Sequence, residues 1–203
     1  MNSLNSNIIT YPNYQNSYPI ILIFMNLEKL FGSKTKVDIL KYLLFRRQGI
    51  SMRALESELE RTFPAIKKQV DSLEESWILH IDKENSGFSI SILPQHYELF
   101  KNFFFTALKS NLIQLFDTYS IMIEKYFRGK RFGVPLDMDM IVIYKHMDKP
   151  QIEEMKQAIG EVFRDFFIEN ISIVFMSADE WQKRYRLADR FVLQVMRYFP
   201  DTK

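Results

Sequence analysis

The sequence predicts a two-domain protein of mixed class, with an α+β domain in its N-terminal half and a small α/β domain in its C-terminal half. Residues 25–93 show three helical periodicities followed by two strand-like runs, and residues 117–203 contain a strand, a helix and a strand in that order. A chain of 203 residues, 47% of them apolar, is long enough to bury a core in each half. Residues 94–116 are predicted to form a helical linker between the halves.

The composition excludes several classes of function. The 27 Lys and Arg residues exceed the 25 Asp and Glu residues by only 2, so a nucleic-acid partner would have to be engaged by a local basic patch. The absence of cysteine excludes disulfides, zinc ribbons and thiol nucleophiles, and the 3 isolated histidines do not favour a histidine-based metal site. No apolar run approaches the roughly 20 residues of a membrane-spanning helix. We therefore expect a cytoplasmic protein with no membrane partner.

Residues 1–24 contain no charged side chain and are rich in Asn, Ser, Tyr and Pro, a composition that matches no periodic element. They lack the positive n-region and the cleavage site of a signal peptide. A charged, amphipathic pattern begins at Met25. We therefore expect residues 1–24 to be a disordered tail or to lie upstream of the true start, and we favour Met25 over Met1 as the initiator.

Two helices are predicted in the first part of the N-terminal half. The first begins at Thr35, with Ser33 as its N-cap and Gly49 closing the segment, because apolar residues recur at helical spacing between these positions. The second is short, begins at Ser51 and ends by Arg61.

A third helix is predicted to begin at Thr62, with Pro64 in its first turn. Apolar residues at i, i+4 and i+7 form its buried stripe, which consists of Ile66, Val70 and Leu73. Two strand-like runs follow at residues 77–81 and 88–92, joined by the turn-prone residues 82–87. This arrangement predicts a β-hairpin after the third helix.

Three helices followed by a hairpin is the order of a winged helix-turn-helix. The strings LFGSKTKVDIL (residues 30–40) and AIKKQVDSLEESWIL (residues 65–79) resemble the ArsR/MarR-like class of winged-helix DNA-binding domains, and the resemblance covers residues 27–93. It implies a transcriptional regulator whose third helix enters the major groove of duplex DNA. Regulators of this class usually pair to contact two half-sites, which implies a homodimer.

The predicted DNA contacts lie on the side of the third helix that faces away from its apolar stripe. The candidates are Thr62, Phe63, Pro64, Lys67 and Lys68, with Lys83 and Asn85 at the tip of the hairpin. Lys34 and Lys36, at the start of the first helix, could add contacts to the DNA backbone. Residues 27–93 carry 11 Lys and Arg against 10 Asp and Glu, so a role in protein interaction alone remains the alternative.

The region after the hairpin is dense in aromatic and aliphatic residues and is predicted to form one long helix or two. Three consecutive phenylalanines, Phe103–Phe105, give more apolar surface than one helical face needs. This surplus could pack inside the molecule or against a second protomer.

In the C-terminal half, the sequence predicts a strand over residues 137–144, a helix over residues 151–167 and a strand over residues 171–175. Ser177 is the expected cap of a following helix. A strand, a helix and a strand in this order predict a βαβ-like unit.

The pair Asp137 and Asp139 at the opening of a strand resembles the signature of minimal nucleotidyltransferase domains, and the resemblance covers residues 112–198. Because residues two apart on a strand point the same way, both carboxylates are expected to face one side. Nucleotidyl transfer also needs a third carboxylate and a backbone turn that holds the triphosphate. The resemblance implies a Gly-Ser pair in that turn, but the chain has Arg128-Gly129-Lys130 or Gly133-Val134 there, and Ser172 stands where the third carboxylate is expected. The resemblance therefore implies a vestigial metal site at Asp137 and Asp139, which could hold one Mg²⁺ loosely.

We thus predict a DNA-binding transcriptional regulator whose C-terminal domain keeps a transferase fold, has no catalytic residue and needs no cofactor. That domain would serve in dimerisation or in sensing a nucleotide or protein effector. The basic residues Arg128, Lys130 and Arg131 leave nucleotide binding open, with a solvated turn as the alternative. Two other functions remain alternatives: an active Mg²⁺-dependent nucleotidyltransferase and an antitoxin-like protein-interaction module.

Overall fold

The computed structural model describes residues 26–82 and 88–200. The α-helices in this part are α1 (Leu27–Phe31), α2 (Lys34–Phe45), α3 (Met52–Glu58), α4 (Phe63–Glu75), α5 (Pro94–Thr118), α6 (Lys149–Arg164), α7 (Ala178–Arg186) and α8 (Arg190–Tyr198). The strands are β1 (Leu79–Asp82), β2 (Ser89–Ile92), β3 (Ile123–Arg128), β4 (Met140–Tyr144) and β5 (Ile173–Ser177). The predictions for residues 1–24, for the start at Met25, and for Lys83 and Asn85 fall outside the described residues.

The first two predicted helices are α2 and α3, and serine caps explain where they begin. The Ser33 hydroxyl accepts a hydrogen bond from the backbone N–H of Lys36 at 3.3 Å, and the Ser51 hydroxyl accepts one from Ala54 at 3.2 Å. Helix α2 ends before it reaches Gly49, which lies in the connection to α3 with a φ of 68°. The two predicted serine caps are confirmed, with each helix beginning at the residue after its cap, and the predicted end of α2 is too late.

The third predicted helix is α4, and its apolar stripe is buried as expected. Ile66, Val70 and Leu73 are almost fully excluded from solvent. The side chain of Thr62 makes no capping hydrogen bond, however. The Glu56 carboxylate of α3 accepts the backbone N–H of Phe63 instead, at 3.0 Å, and so links the two helices at their junction.

Helix α4 ends at a left-handed residue, which corrects the predicted start of the first strand. Trp77 has a φ of 56° and is 76% exposed, and β1 begins only at Leu79. The N–H of Ile78 donates to the carbonyl of Leu73 at 3.0 Å, and the N–H of Trp77 donates to the carbonyl of Glu74 at 2.9 Å. These bonds reverse the chain at the end of the helix, so Trp77 belongs to the helix end and not to the strand.

The hairpin is antiparallel, with Leu79 opposite Ile92 and Asp82 opposite Ser89. The connection between α2 and α3 adds a strand-like contact, because Ile50 pairs with Ile90 of β2. Helices α2 to α4 with this hairpin therefore have the arrangement of a winged helix-turn-helix, and we call them the winged-helix unit.

The C-terminal half contains a sheet of order β3–β4–β5, in which β3 is antiparallel and β5 is parallel to the central strand β4. Helix α6 connects β4 to β5, which confirms the predicted strand, helix and strand. Asp148 and Gln151 form a capping box at the start of α6. The helix ends earlier than predicted, and Phe167 beyond it has a φ of 55°, which an α-helix does not accommodate.

Helix α5 is one continuous helix, and its buried side chains join the two halves. A contiguous apolar cluster includes residues of α2, α4, α5, β4 and α6. A second cluster beneath α7 and α8 contains Ile141 and Ile143 of β4, whereas Met140 and Val142 belong to the first. Because alternate residues of a strand face opposite sides, the two clusters lie on opposite faces of the sheet. No helix in the described ranges is both long and apolar enough to span a bilayer.

Candidate functional site

The outer surface of α4 carries the residues that the sequence predicts to contact DNA. A shallow groove runs along this surface and is lined by Pro64, Lys67, Lys68, Asp71, Ser72 and Glu75. All of the described candidates are exposed, namely Thr62, Phe63, Pro64, Lys67 and Lys68. The buried stripe on the opposite side of the helix fixes this orientation, and the structure therefore brings these five residues together on one surface.

The two adjacent lysines of α4 have different electrostatic environments. The Lys67 ammonium lies 2.6 Å from a carboxylate oxygen of Asp71, one turn further along the helix. No carboxylate of the described residues lies within ion-pair distance of Lys68. Lys36 of α2 reaches the same groove, where its ammonium donates to the Ser72 hydroxyl at 2.9 Å. Lys68 therefore offers the more readily available positive charge, while Lys36 flanks the helix.

The junction between α3 and α4 is held by residues that sequence reasoning missed. A guanidinium nitrogen of Arg61 lies 3.4 Å from the Asp38 carboxylate of α2. Burial raises the pKa of Asp38, and the nearby charges of Arg61, Lys41 and Lys34 oppose this rise only in part. Glu60, between α3 and Arg61, has a left-handed φ of 51°. The sequence did contain one signal of this contact, because the charged Asp38 lies between the apolar residues Val37 and Ile39 of the α2 pattern.

The second predicted site does not have the expected geometry. Strand β4 begins at Met140, so Asp137 precedes the strand and is exposed, whereas Asp139 is 0% exposed. The prediction that both carboxylates face one side of a strand is therefore wrong. One Asp139 oxygen lies 3.0 Å from the Arg131 guanidinium, and the other accepts the backbone N–H of Ser172 at 2.9 Å. Asp139 thus joins the start of β4 to the segment that enters β5.

The turn at residues 128–131, beside this pair of aspartates, is also held by contacts within the chain. A Cβ atom at Gly129 would lie 1.9 Å from the carbonyl oxygen of Met138, so the two backbones are in direct contact. Arg131, besides its contact with Asp139, donates to the backbone carbonyls of Glu169 and Asn170 at 3.3 and 3.4 Å. Within residues 26–82 and 88–200, no group of three or more His, Cys, Asp or Glu side chains is placed to hold a metal ion.

The phenylalanine surplus of α5 packs largely inside the molecule. The ring of Phe31 lies 5.7 Å from that of Phe104 and 6.2 Å from that of Phe103, measured between centroids. Phe105 contacts Phe45 at 5.1 Å and Phe132 at 6.3 Å. These contacts account for the three consecutive aromatic residues without a second protomer, and a homodimer stays a prediction.

No protein-family description matches this chain, and no curated protein matches it either. Among solved structures, it is similar to that of the transcriptional regulator PA3341, with a TM-score of 0.40 and 14% sequence identity, over 70% of this chain and 84% of that one. A likeness of this degree adds no residue-level information.

Proposed function

We propose that this chain binds duplex DNA through the N-terminal half of α4 and acts as a transcriptional regulator. The observation that carries the proposal is the orientation of α4. Its apolar stripe is buried in the winged-helix unit, and the residues of its first two turns are exposed on the opposite side. A helix supported from behind in this way, with its N-terminal turns exposed, is what the major groove of B-DNA admits.

The side chains on this surface fit the chemistry of a DNA major groove. The ammonium of Lys68, which has no ion-pair partner among residues 26–82 and 88–200, can donate to a phosphate or to a guanine edge. Phe63 and Pro64 are exposed apolar residues at the start of the helix and can contact a thymine methyl group. Lys36, on the neighbouring helix, can add a contact to the DNA backbone. Lys67 contributes less in this account because its ammonium is paired with the Asp71 carboxylate.

A salt titration of DNA binding tests the proposal. Neutralising one phosphate contact changes the slope of log affinity against log salt by about 0.9. Lys68→Ala should therefore weaken DNA binding and reduce the magnitude of this slope by about 0.9, the value of one phosphate contact. Lys67→Ala should weaken binding and reduce the slope to a smaller extent. Lys183→Ala is the matched control, since it removes one exposed lysine from α7, which packs on the opposite face of the sheet.

A second measurement addresses specificity. Genomic fragments bound by the wild-type chain would be selected and sequenced, and the selection repeated with the double variant Lys67→Ala, Lys68→Ala. A shared sequence motif should appear in the first selection and be lost in the second. Absence of any salt-dependent DNA binding by the wild-type chain would contradict the proposal and favour a protein-interaction module.

For the C-terminal half, the proposal is a non-catalytic role. It is supported by the fully buried carboxylate of Asp139, of which one oxygen accepts the backbone N–H of Ser172. The other oxygen makes no hydrogen bond within the described residues, but it lies 3.0 Å from the Arg131 guanidinium, which occupies the position of a cation. Metal-dependent nucleotidyl transfer needs carboxylates that are free to bind two cations. Incubation with labelled nucleoside triphosphates and Mg²⁺ tests this directly. Incorporation of label that is lost in Asp137→Ala would show that the half is an enzyme after all.

A further inference from the structure

Strand β5 lies at an edge of the C-terminal sheet, and one side of its backbone has no partner in the described part of the chain. The carbonyl of Ser172, just before the strand, accepts hydrogen bonds from the N–H groups of Asp139 and Met140. Because backbone groups alternate in direction along a strand, those of Ile173 and Phe175 point away from β4. These N–H and carbonyl groups form an open edge.

The two edges of the sheet differ in charge. Strand β3, at the other edge, contains Glu124, Lys125 and Arg128, and charged side chains are a common protection against pairing with another chain. Strand β5 and its neighbours, residues 170–178, contain no charged residue. The side chains of Ile173, Val174 and Phe175 are also only half-buried, whereas those of β4 from Met140 to Ile143 are fully buried. Within the described part of the chain, edge β5 thus has neither the protection of charged residues nor full coverage of its side chains.

We propose that β5 pairs with β5 of a second copy of this chain in an antiparallel arrangement, which makes the two sheets continuous across a homodimer. A two-fold axis at Val174 places Ile173 opposite Phe175 of the second copy. Each of these pairs can exchange both of its backbone hydrogen bonds, because these are the residues whose groups point outward. Val174 then lies opposite Val174 of the second copy, in a non-hydrogen-bonded pair.

The absence of charge is what favours a second copy over an unrelated partner. A two-fold interface brings the same segment of both chains together, so any charged residue near the axis would approach its own copy. Like charges directly opposite each other destabilise paired strands. Residues 170–178 satisfy this requirement because they carry no charge. For the same reason, an acidic or basic partner would find no complementary charge on this edge. Pairing would also cover the half-buried side chains of β5.

The first test introduces a charged residue at Val174, on the two-fold axis. The molecular mass of each variant is measured by sedimentation equilibrium in the absence of DNA. The wild-type chain should have about twice the chain mass of 24.3 kDa, and the control Val174→Thr should behave in the same way. Val174→Lys should have the mass of one chain, because two ammonium groups would face each other. An equal mixture of Val174→Lys and Val174→Glu should regain the mass of a dimer. Circular dichroism would establish that each variant is folded.

The second test uses the absence of cysteine from the natural chain. Val174→Cys should form an intermolecular disulfide on mild oxidation, because residues in a non-hydrogen-bonded antiparallel pair have Cα atoms about 4.5 Å apart. Leu99→Cys is the control, since Leu99 is an exposed apolar residue on α5, the other surface considered for dimerisation.

Three results would overturn the proposal. They are a wild-type chain with the mass of a monomer, a dimer that Val174→Lys leaves intact, and cross-linking at Leu99→Cys without cross-linking at Val174→Cys. The last result would assign the dimer contact to α5. None of these measurements depends on DNA binding, so the proposal fails or stands separately from the proposed function.

Discussion

At the scale of single residues, Gly129 makes the closest backbone contact of any glycine in the described part of the chain. Its N–H bonds to the carbonyl of Asp139 at 2.8 Å, and a Cβ atom there would lie 1.9 Å from the Met138 carbonyl oxygen. A methyl group would therefore separate the end of β3 from the segment that positions Asp139. Because both contacting groups are backbone, no side-chain rotation can relieve the clash, and only glycine fits this position.

We expect Gly129→Ala to lower the free energy of unfolding by about 3 kcal/mol. The control is Gly160→Ala, in the interior of α6, where a Cβ atom meets nothing within 4 Å. Alanine there should raise the stability by about 0.5 to 1 kcal/mol, because it favours the helix. Urea unfolding of the two variants measures both effects. Equal stability of the two variants would show that the Gly129 contact relaxes without cost.

At the scale of elements, the sequence predicted those features of the helices that neighbouring residues determine. The serine caps and apolar stripe of α2 to α4 are set by residues within a few positions of each other, and the structure confirms them. The start of β4 was misplaced because it depends on distant partners. Met140 is the first residue that pairs with both Arg128 of β3 and Ile173 of β5, and no local pattern reveals this register. The misplaced start produced the incorrect geometry for Asp137 and Asp139.

The burial of Asp38 of α2, at the junction before α4, predicts that the free energy of unfolding depends on pH. Burial raises the pKa of Asp38 above its ordinary value of 3.8. A raised carboxyl pKa stabilises the folded state while the group is protonated, and this contribution is lost as the pH rises through the folded-state value. Asp38→Asn remains uncharged throughout. Its stability relative to the wild-type chain should therefore increase as the pH rises from below 3.8 to neutrality.

Urea unfolding of both proteins across this pH range measures the effect. The loss of the Arg61 ion pair in the variant acts in the opposite direction, but the contact is long, at 3.4 Å, and the Arg61 side chain is partly exposed. A relative stability of Asp38→Asn that falls with rising pH would show that the ion pair outweighs the burial of the carboxylate.

At the scale of the whole molecule, direct contacts join the winged-helix unit to the C-terminal half. The buried Lys41 of α2 forms an ion pair with Asp165, just after α6, and its ammonium lies 4.4 Å from the centre of the Phe166 ring. The rings of Tyr42 and Phe167 meet at a centroid distance of 5.4 Å. These contacts lie over the shared apolar cluster, so a movement of one half must disturb packing in the other.

This shared packing predicts that the chain unfolds in one cooperative transition, even though the sequence suggests two domains. The chain has 2 tryptophans, and Trp181 is buried on the far face of the sheet. In the variant Trp77→Phe, fluorescence reports Trp181 alone, while far-UV circular dichroism reports all helices. The two signals should give the same urea midpoint, because coincident transitions are expected of a single cooperative unit. A separate midpoint for Trp181 would instead indicate that the C-terminal sheet unfolds independently of the winged-helix unit.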